Sequence, residues 1–182
     1  NIIAVVGLTS LFIGINKYLS VKYKNKNKKL IINYTSGVHA YGSVILGLTF
    51  YLSKILLNRN LTIFENFIKL YSTSYFIYDS FITINTIKGI PKYLYLYHHI
   101  ISIIVLNSKI NFPVIDMLIL AEISNLPYYI VYDYIHQPIK DEQKIIFWKK
   151  VQKINYVIIR IPIFGIVLIN YLMKNNITLI SC

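Results

Sequence analysis

Long uninterrupted apolar stretches are the feature of this sequence that most restricts its fold. A helix rises about 1.5 Å per residue, so a hydrocarbon layer of about 30 Å takes about 17 to 25 apolar residues to cross. Five stretches are long enough as they stand, and a sixth becomes so if its helix begins at Ile90, with Pro91 in the first turn. The sequence therefore predicts an all-α integral membrane protein with six transmembrane helices. The predicted spans are Ile2 to Leu19, Asn33 to Leu57, Phe64 to Ile87, Ile90 to Leu106, Phe112 to Ile135 and Val151 to Met173.

The first apolar stretch has the length of a secretory signal peptide but lacks its other marks. No basic segment stands before Ile2, and no small-residue cleavage site follows Leu19. We therefore expect this stretch to be a genuine first span.

Composition agrees with a membrane protein and disfavours a nucleic-acid partner. The 182 residues are 55% hydrophobic and only 14% charged, with a mean hydropathy of +0.54, whereas soluble domains carry about 25% charged residues. The net charge of +12 has a second explanation, because basic residues collect in the cytoplasmic loops of membrane proteins. A single cysteine, Cys182, excludes a disulfide framework and a cysteine-rich metal site.

The basic residues divide unequally between the two sides of the predicted membrane. Thirteen of the nineteen lie at or between the facing ends of spans one and two, three and four, and five and six; five lie on the other side, and Arg160 lies inside span six. The positive-inside rule then places both termini on the non-cytoplasmic side. Because every predicted loop is short, residues 1–182 are expected to form a single membrane domain. The thirteen are Lys17, Lys22, Lys24, Lys26, Lys28, Lys29, Lys88, Lys92, Lys140, Lys144, Lys149, Lys150 and Lys153.

Several ionisable side chains are predicted to lie inside the spans, where each costs about 2.5 to 3.5 kcal/mol to insert. Those in spans two, three, four and six lie roughly 9 to 15 Å below the cytoplasmic boundary. Such groups normally face a protein interior or a watery cavity, so we expect a shared polar cavity that opens toward the cytoplasm. The ionisable residues are His39, Asp79, His98, His99, Glu122 and Arg160.

The fifth span carries a continuous polar face. Glu122, Asn125, Tyr129, Tyr132 and His136 follow one another at spacings of three and four residues, which places them on one side of a helix. Glu122 is the deepest of them and is expected to form the floor of the cavity.

The histidines suggest chemistry, because imidazole is the side chain poised near neutral pH and can act as a general base or as a nucleophile in acyl transfer. Asp79 could orient an imidazole and raise its basicity. Arg160 suits a phosphate or a carboxylate, because its guanidinium pairs with two oxygens at once. The set fits an enzyme acting on lipid, and it equally fits a lipid-binding or lipid-moving protein without chemistry.

Purely structural roles remain open for the same residues. Asp79 could pair with Arg160 or a histidine only to hold helices together, and His39 could be a hydrogen-bonded interior residue. His98 and His99 point about 100° apart on a helix, so we expect only one of them to face a reacting atom. A zinc site could draw on His39, one of the histidine pair and Asp79, but nothing in the spacing favours it over a hydrogen-bonded cluster.

Five short motifs in order along the chain resemble those of the TLC domain family, the membrane fold of ceramide synthases and translocating-chain-associated membrane proteins. Each motif is weak alone, whereas the ordered set covers nearly the whole chain. They are Ser36-Gly37-Val38-His39-Ala40, Tyr75-Phe76-Ile77-Tyr78-Asp79, His98-His99-Ile100, Glu122-Ile123-Ser124-Asn125 followed by Pro127, and Arg160-Ile161-Pro162.

The resemblance implies a six-helix TLC-type bundle around a central lipid-accessible cavity, in the endoplasmic reticulum or a related membrane. In ceramide synthases the histidine pair is the catalytic centre, which corresponds here to His98 and His99. The chain has no His-Asp step before Asp116 and its spacing to Glu122 differs from theirs. It is therefore more similar to the smaller TLC domain-containing proteins, whose activities are diverse.

Together these observations predict a protein that acts on membrane lipid, most plausibly by acyl transfer. His98 or His99 is the expected base or nucleophile, with Asp79 orienting it. No metal or resident cofactor is expected, and acyl-CoA is a candidate co-substrate and acyl donor. A non-enzymatic role in lipid binding, lipid transport or membrane homeostasis is the alternative. The predicted substrate-binding residues are His39, Glu122, Asn125, Tyr129 and Arg160.

Overall fold

All regular secondary structure in the part of the chain that the structure describes is helical. The computed structural model describes residues 2–57, 61–108, 113–137 and 139–174. The last helix is continuous through a short π-helical turn, so the described residues form six helices. The elements are α1 Ile2–Lys22, α2 Lys28–Leu57, α3 Thr62–Thr86, α4 Ile90–Asn107, α5 Val114–Ile135, α6 Glu142–Ile158, the π-helical turn Ile159–Ile163 and α7 Phe164–Lys174.

Four of these helices are long and apolar enough to cross a membrane. They are α1, α2, α5 and the continuous helix Glu142–Met173. Large apolar side chains stand exposed along them, as on Ile3 and Ile55, which suits lipid contact better than water. The prediction of an all-helical fold with helices able to span a membrane is confirmed for the described residues. The helices α3 and α4 form where they were predicted but do not reach the same standard of length and apolarity, so six spans stay a prediction.

Local sequence explains where two helices begin. Gly89 adopts a positive φ of 73°, and Pro91 follows in the first turn of α4, as expected of a proline at a helix start. The sixth helix begins at Glu142, nine residues before the predicted start of the sixth span at Val151. Asp141 caps it, because its Oδ1 accepts a hydrogen bond from the Lys144 backbone N–H at 3.0 Å. That hydrogen bond lowers the pKa of Asp141.

The early start of α6 also corrects the predicted basic loop. Lys144, Lys149, Lys150 and Lys153 were expected in a loop, and they lie instead on the first turns of α6. Lysine has high helix propensity, so a run of lysines does not end a helix once a cap has started it.

Proline shapes the two longest apolar helices of the C-terminal half. Pro162 lies in the π-helical turn Ile159–Ile163, where its missing N–H interrupts the α-helical hydrogen-bond ladder. Pro127 is buried inside α5, and its missing N–H leaves the carbonyl of Ile123 without its helical donor. Asn155 of α6 donates to that carbonyl at 3.0 Å. A neighbouring helix thus replaces the hydrogen bond that the proline removes.

Contacts divide the chain into two compact units, Asn1–Lys109 and Ile110–Cys182. In the first unit, α3 packs against α1, α2 and α4. Phe12 is fully buried at the centre of this unit, with its ring 5.3 Å from that of Tyr71 and 5.4 Å from that of Tyr75. In the second unit, α5 packs against α6, the π-helical turn and α7.

Candidate functional site

A buried imidazole and a carboxylate meet where α3 and α4 pack together. His99 Nε2 lies 3.1 Å from Asp79 Oδ2. The His99 residue is only 3% exposed, while Asp79 is partly exposed. A carboxylate in this position fixes the imidazole orientation and favours the tautomer with its proton on Nε2. The structure therefore brings together the two residues that the sequence predicted to act as a pair.

Ser80 completes this cluster on the other side of the imidazole. Its Oγ lies 3.2 Å from His99 Nδ1 and 2.7 Å from the carbonyl oxygen of Phe76, one turn earlier on α3. Ser80 was not among the predicted site residues. The only sequence signal was its position next to Asp79, and that alone does not show which way its hydroxyl points.

The proton count of the cluster allows His99 to exist in two states. With one proton on Nε2, His99 donates to the Asp79 carboxylate and accepts the Ser80 hydroxyl at Nδ1. With a second proton on Nδ1, His99 donates to Ser80 Oγ, and the hydroxyl turns to donate to the Phe76 carbonyl. Every donor keeps an acceptor in both states. A group that changes protonation without losing a hydrogen bond suits general base catalysis.

The neighbouring histidine has different surroundings. His98 is exposed, and its ring meets that of Phe76 edge-on with 5.9 Å between centroids. The 100° step of a helix therefore separates a buried His99 beside Asp79 from an exposed His98, as expected for adjacent residues.

His39 is enclosed in the core of the first unit. Its exposure is 0%, and its Nε2 lies 3.1 Å from Ser43 Oγ and 3.2 Å from Ser72 Oγ. The ring stacks on that of Tyr75 with 3.8 Å between centroids and 7° between planes. The interior, hydrogen-bonded position that the sequence also allowed is the one observed. A contact of His39 with substrate stays a prediction.

The second unit holds another polar cluster, which centres on Asn125 of α5. Its Oδ1 accepts hydrogen bonds from Arg160 Nη2 and from the Tyr156 hydroxyl, each at 2.9 Å. Its Nδ2 lies 3.5 Å from Glu122 Oε2, at the limit of a hydrogen bond. Glu122 is buried. Three of the predicted substrate-binding residues, Glu122, Asn125 and Arg160, are therefore joined in one network.

Arg160 extends from the π-helical turn with part of its guanidinium already engaged. Its Nε donates to Ser124 Oγ at 2.9 Å, and the guanidinium carbon lies 4.4 Å from the centre of the Tyr156 ring. The residue is nevertheless exposed, and Nη1 has no protein acceptor among the described residues. An arginine held in this way keeps donors for an anionic group while its position is fixed. Ser124 lies within the quoted motif but was not predicted to bind Arg160.

The remaining members of the predicted polar face lie further along α5. Tyr129 is half-buried and packs beside Tyr128, with 5.6 Å between ring centroids. Tyr132 stacks on His136 at 4.1 Å, one turn apart. The predicted helix face is therefore present, and the binding role of Tyr129 stays a prediction.

The described residues contain no group of three or more histidine, cysteine, aspartate or glutamate side chains able to hold a metal ion. Each charged cluster instead forms hydrogen bonds among its own members.

Comparison with known proteins leaves the family open. No family model, curated protein or solved structure matches this chain. The resemblance to TLC domain proteins therefore rests on the sequence motifs. Any function has to be argued from the two clusters themselves.

Proposed function

We propose that this chain is a multi-pass membrane protein of the TLC type that transfers an acyl group to or from a lipid. The observation that carries the proposal is the hydrogen-bonded series Asp79, His99 and Ser80. A buried imidazole between a carboxylate and a hydroxyl is an arrangement suited to moving a proton during acyl transfer. The four apolar helices support a setting in which the substrate is a membrane lipid.

In this proposal His99 is the base, and His98 is not. An acceptor amine or hydroxyl takes the place of Ser80 at Nδ1, and the Ser80 hydroxyl turns to donate to the carbonyl of Phe76. The acceptor attacks the acyl carbonyl, its proton passes to Nδ1, and the proton then leaves with the thiol or alcohol of the donor. Asp79 stabilises the imidazolium that forms in between. Acyl-CoA is the proposed donor, and Arg160 is a proposed binding group for a phosphate or carboxylate.

The membrane arrangement belongs to the same proposal. We place all six helices across the bilayer, with both termini on the non-cytoplasmic side, because thirteen of nineteen basic residues fall on the opposite side. The endoplasmic reticulum is the compartment that the TLC resemblance implies.

The proposal is tested with purified protein in lipid nanodiscs. Radiolabelled acyl-CoA and acyl-labelled phospholipids serve as donors, and long-chain amines, sphingoid bases and lysolipids serve as acceptors. We expect labelled product from at least one pair, and we expect Asp79→Asn to lose it. If no pair gives product with folded wild-type protein, the protein is not an acyltransferase of this kind.

A second candidate function is lipid binding without turnover. The observation that favours it is that both nitrogens of His99 already have protein partners, so the cluster could serve only to join α3 to α4. This alternative predicts that His99→Gln changes thermal stability but leaves the co-purifying lipid and the cellular phenotype intact. Loss of the phenotype with normal folding would support the enzyme.

A further inference from the structure

An open groove runs along the exposed side of α6. Its volume is about 380 Å³, and all of its lining residues belong to α6. Two of its lining residues are basic and three are apolar. The lining residues are Lys150, Lys153, Ile154, Val157 and Ile158.

The order of these residues along α6 separates charge from apolar surface. Spacings of three and four residues link Lys150 to Lys153 and Ile154, and these two to Val157 and Ile158, so all five share one helix face. Lys150 and Lys153 lie at its N-terminal end, while Ile154, Val157 and Ile158 continue toward α7. The wall of the groove is apolar throughout, so Lys150 and Lys153 line it with their aliphatic stems, and the hydrocarbon surface continues over roughly the next 6 Å.

The length of the helix places the step from lysines to apolar residues at a membrane boundary. The helix Glu142–Met173 has 32 residues, which is longer than the roughly 20 needed to cross the hydrocarbon. The apolar part from Ile154 to Met173 supplies about 30 Å by itself. Lys150 and Lys153 therefore fall where phospholipid headgroups lie, and their aliphatic stems can follow the apolar wall to reach that level.

The surroundings of the groove carry a net positive charge. Lys140, Lys144 and Lys149 lie on or just before the same helical segment, against only two acids. One of these acids, Asp141, is paired with Lys144 at 3.2 Å. Basic clusters next to a membrane span attract anionic lipid.

From these observations we propose that the groove binds one anionic phospholipid. Its phosphate lies between Lys150 and Lys153, and one acyl chain follows Ile154, Val157 and Ile158. The occupant is a lipid that binds without reacting, so the proposal does not depend on acyl transfer and stands or falls separately.

The groove can be tested with one fluorescent residue, because the chain contains a single tryptophan, Trp148. Trp148→Phe combined with Ile154→Trp places the reporter in the groove. The full chain is reconstituted in phosphatidylcholine vesicles, and brominated phosphatidylglycerol or brominated phosphatidylcholine is added as a quencher. We expect the anionic lipid to quench at a concentration about fivefold lower, the effect of roughly one well-placed lysine.

Two double variants of the reporter protein decide whether the groove itself causes the preference for anionic lipid. Lys150→Gln with Lys153→Gln is expected to abolish the preference. Lys144→Gln with Lys149→Gln removes the same charge from the same helix outside the groove and is expected to keep it. Equal quenching by both lipids in the reporter protein, or equal losses in the two double variants, would overturn the proposal.

A second measurement guards against disturbance by the new tryptophan. Native mass spectrometry of the otherwise unaltered chain counts retained phosphatidylglycerol. The wild type is expected to retain one molecule that Lys150→Gln with Lys153→Gln loses, and identical retention by both would also overturn the proposal.

Discussion

The polar clusters of the two units differ in how their ionisable side chains are connected. In the first unit, the Asp79 carboxylate faces the buried His99 imidazole directly, at 3.1 Å. In the second unit, Glu122 and Arg160 are joined through the amide of Asn125, and Arg160 is exposed.

This difference separates two kinds of chemistry. An imidazole held directly between a carboxylate and a hydroxyl is positioned to pass a proton between two partners. An arginine fixed by an amide and a serine cannot titrate, but it can hold an anion in a fixed place. The first cluster therefore suits catalysis, and the second suits binding and helix packing.

The largest effect is expected from Asp79→Asn. The amide can no longer stabilise an imidazolium, so we expect acyl transfer to fall by about 10³-fold to 10⁴-fold with little change in folding. The rate of labelled product formation and a thermal unfolding scan measure the two effects. Glu65→Gln removes the other acid of α3, which pairs with Lys69, and should leave the rate nearly unchanged. Similar rates for Asp79→Asn and wild type would remove the distinction between the clusters.

A smaller effect, on stability, is expected from Asn125→Leu. The substitution leaves Arg160 and the Tyr156 hydroxyl without their acceptor, and we expect a loss of about 2 kcal/mol in the free energy of unfolding. Denaturant unfolding in detergent micelles measures it. The control is Asn85→Leu, because Asn85 is exposed and its side chain donates to the Phe81 carbonyl of its own helix. An equal loss in both variants would show that the Asn125 network does not contribute to the free energy of unfolding.

The contact between Asn155 and the Pro127 turn predicts a coupling between two substitutions. Asn155→Leu alone should cost about 1 kcal/mol, because the Ile123 carbonyl then has no donor. In a Pro127→Ala background the new backbone N–H can reach that carbonyl, so the same substitution should cost less. A double-mutant cycle of unfolding free energies measures the coupling. Strict additivity would mean that Asn155 does not compensate for the proline.

The smallest effect is a pH dependence at the start of α6. The pKa of Asp141 is lowered by the hydrogen bond from the Lys144 N–H, so its contribution is complete above the unfolded value of 3.8 and is lost as the pH falls through the lower folded value. We expect hydrogen-exchange protection of the Lys144 amide to drop below about pH 4. Asp141→Asn keeps a capping oxygen without the charge and should show no such drop. A drop in both proteins would assign the change to another group.

Much of the fold could be predicted from the sequence, because apolar length is a strong signal. Helices near all six predicted spans are present. The sixth helix extends further toward the N-terminus than its predicted span, because Asp141 caps it and a capped helix tolerates the lysines that follow. Three of the polar side chains of α3 donate to carbonyls of their own helix: Ser74 to Leu70, Ser80 to Phe76 and Thr86 to Ile82.

The candidate site could be predicted only in part. Helical spacing showed that His98 and His99 face different directions, but it could not show which one meets Asp79, because that depends on how α4 is rotated against α3. The roles of Ser80 and Ser124 depend on side-chain rotation and on neighbouring helices. The compensation of Pro127 by Asn155 likewise requires the packing of α5 on α6.

The most direct test of the central claim compares the two adjacent histidines in labelled acyl transfer. His99→Ala is expected to reduce the rate by at least about 10²-fold, while His98→Ala, which removes an exposed ring, keeps most of it. Both proteins should first be shown to fold by thermal unfolding in nanodiscs. Equal losses in the two variants, or an unchanged rate in His99→Ala, would contradict a catalytic cluster of Asp79, His99 and Ser80.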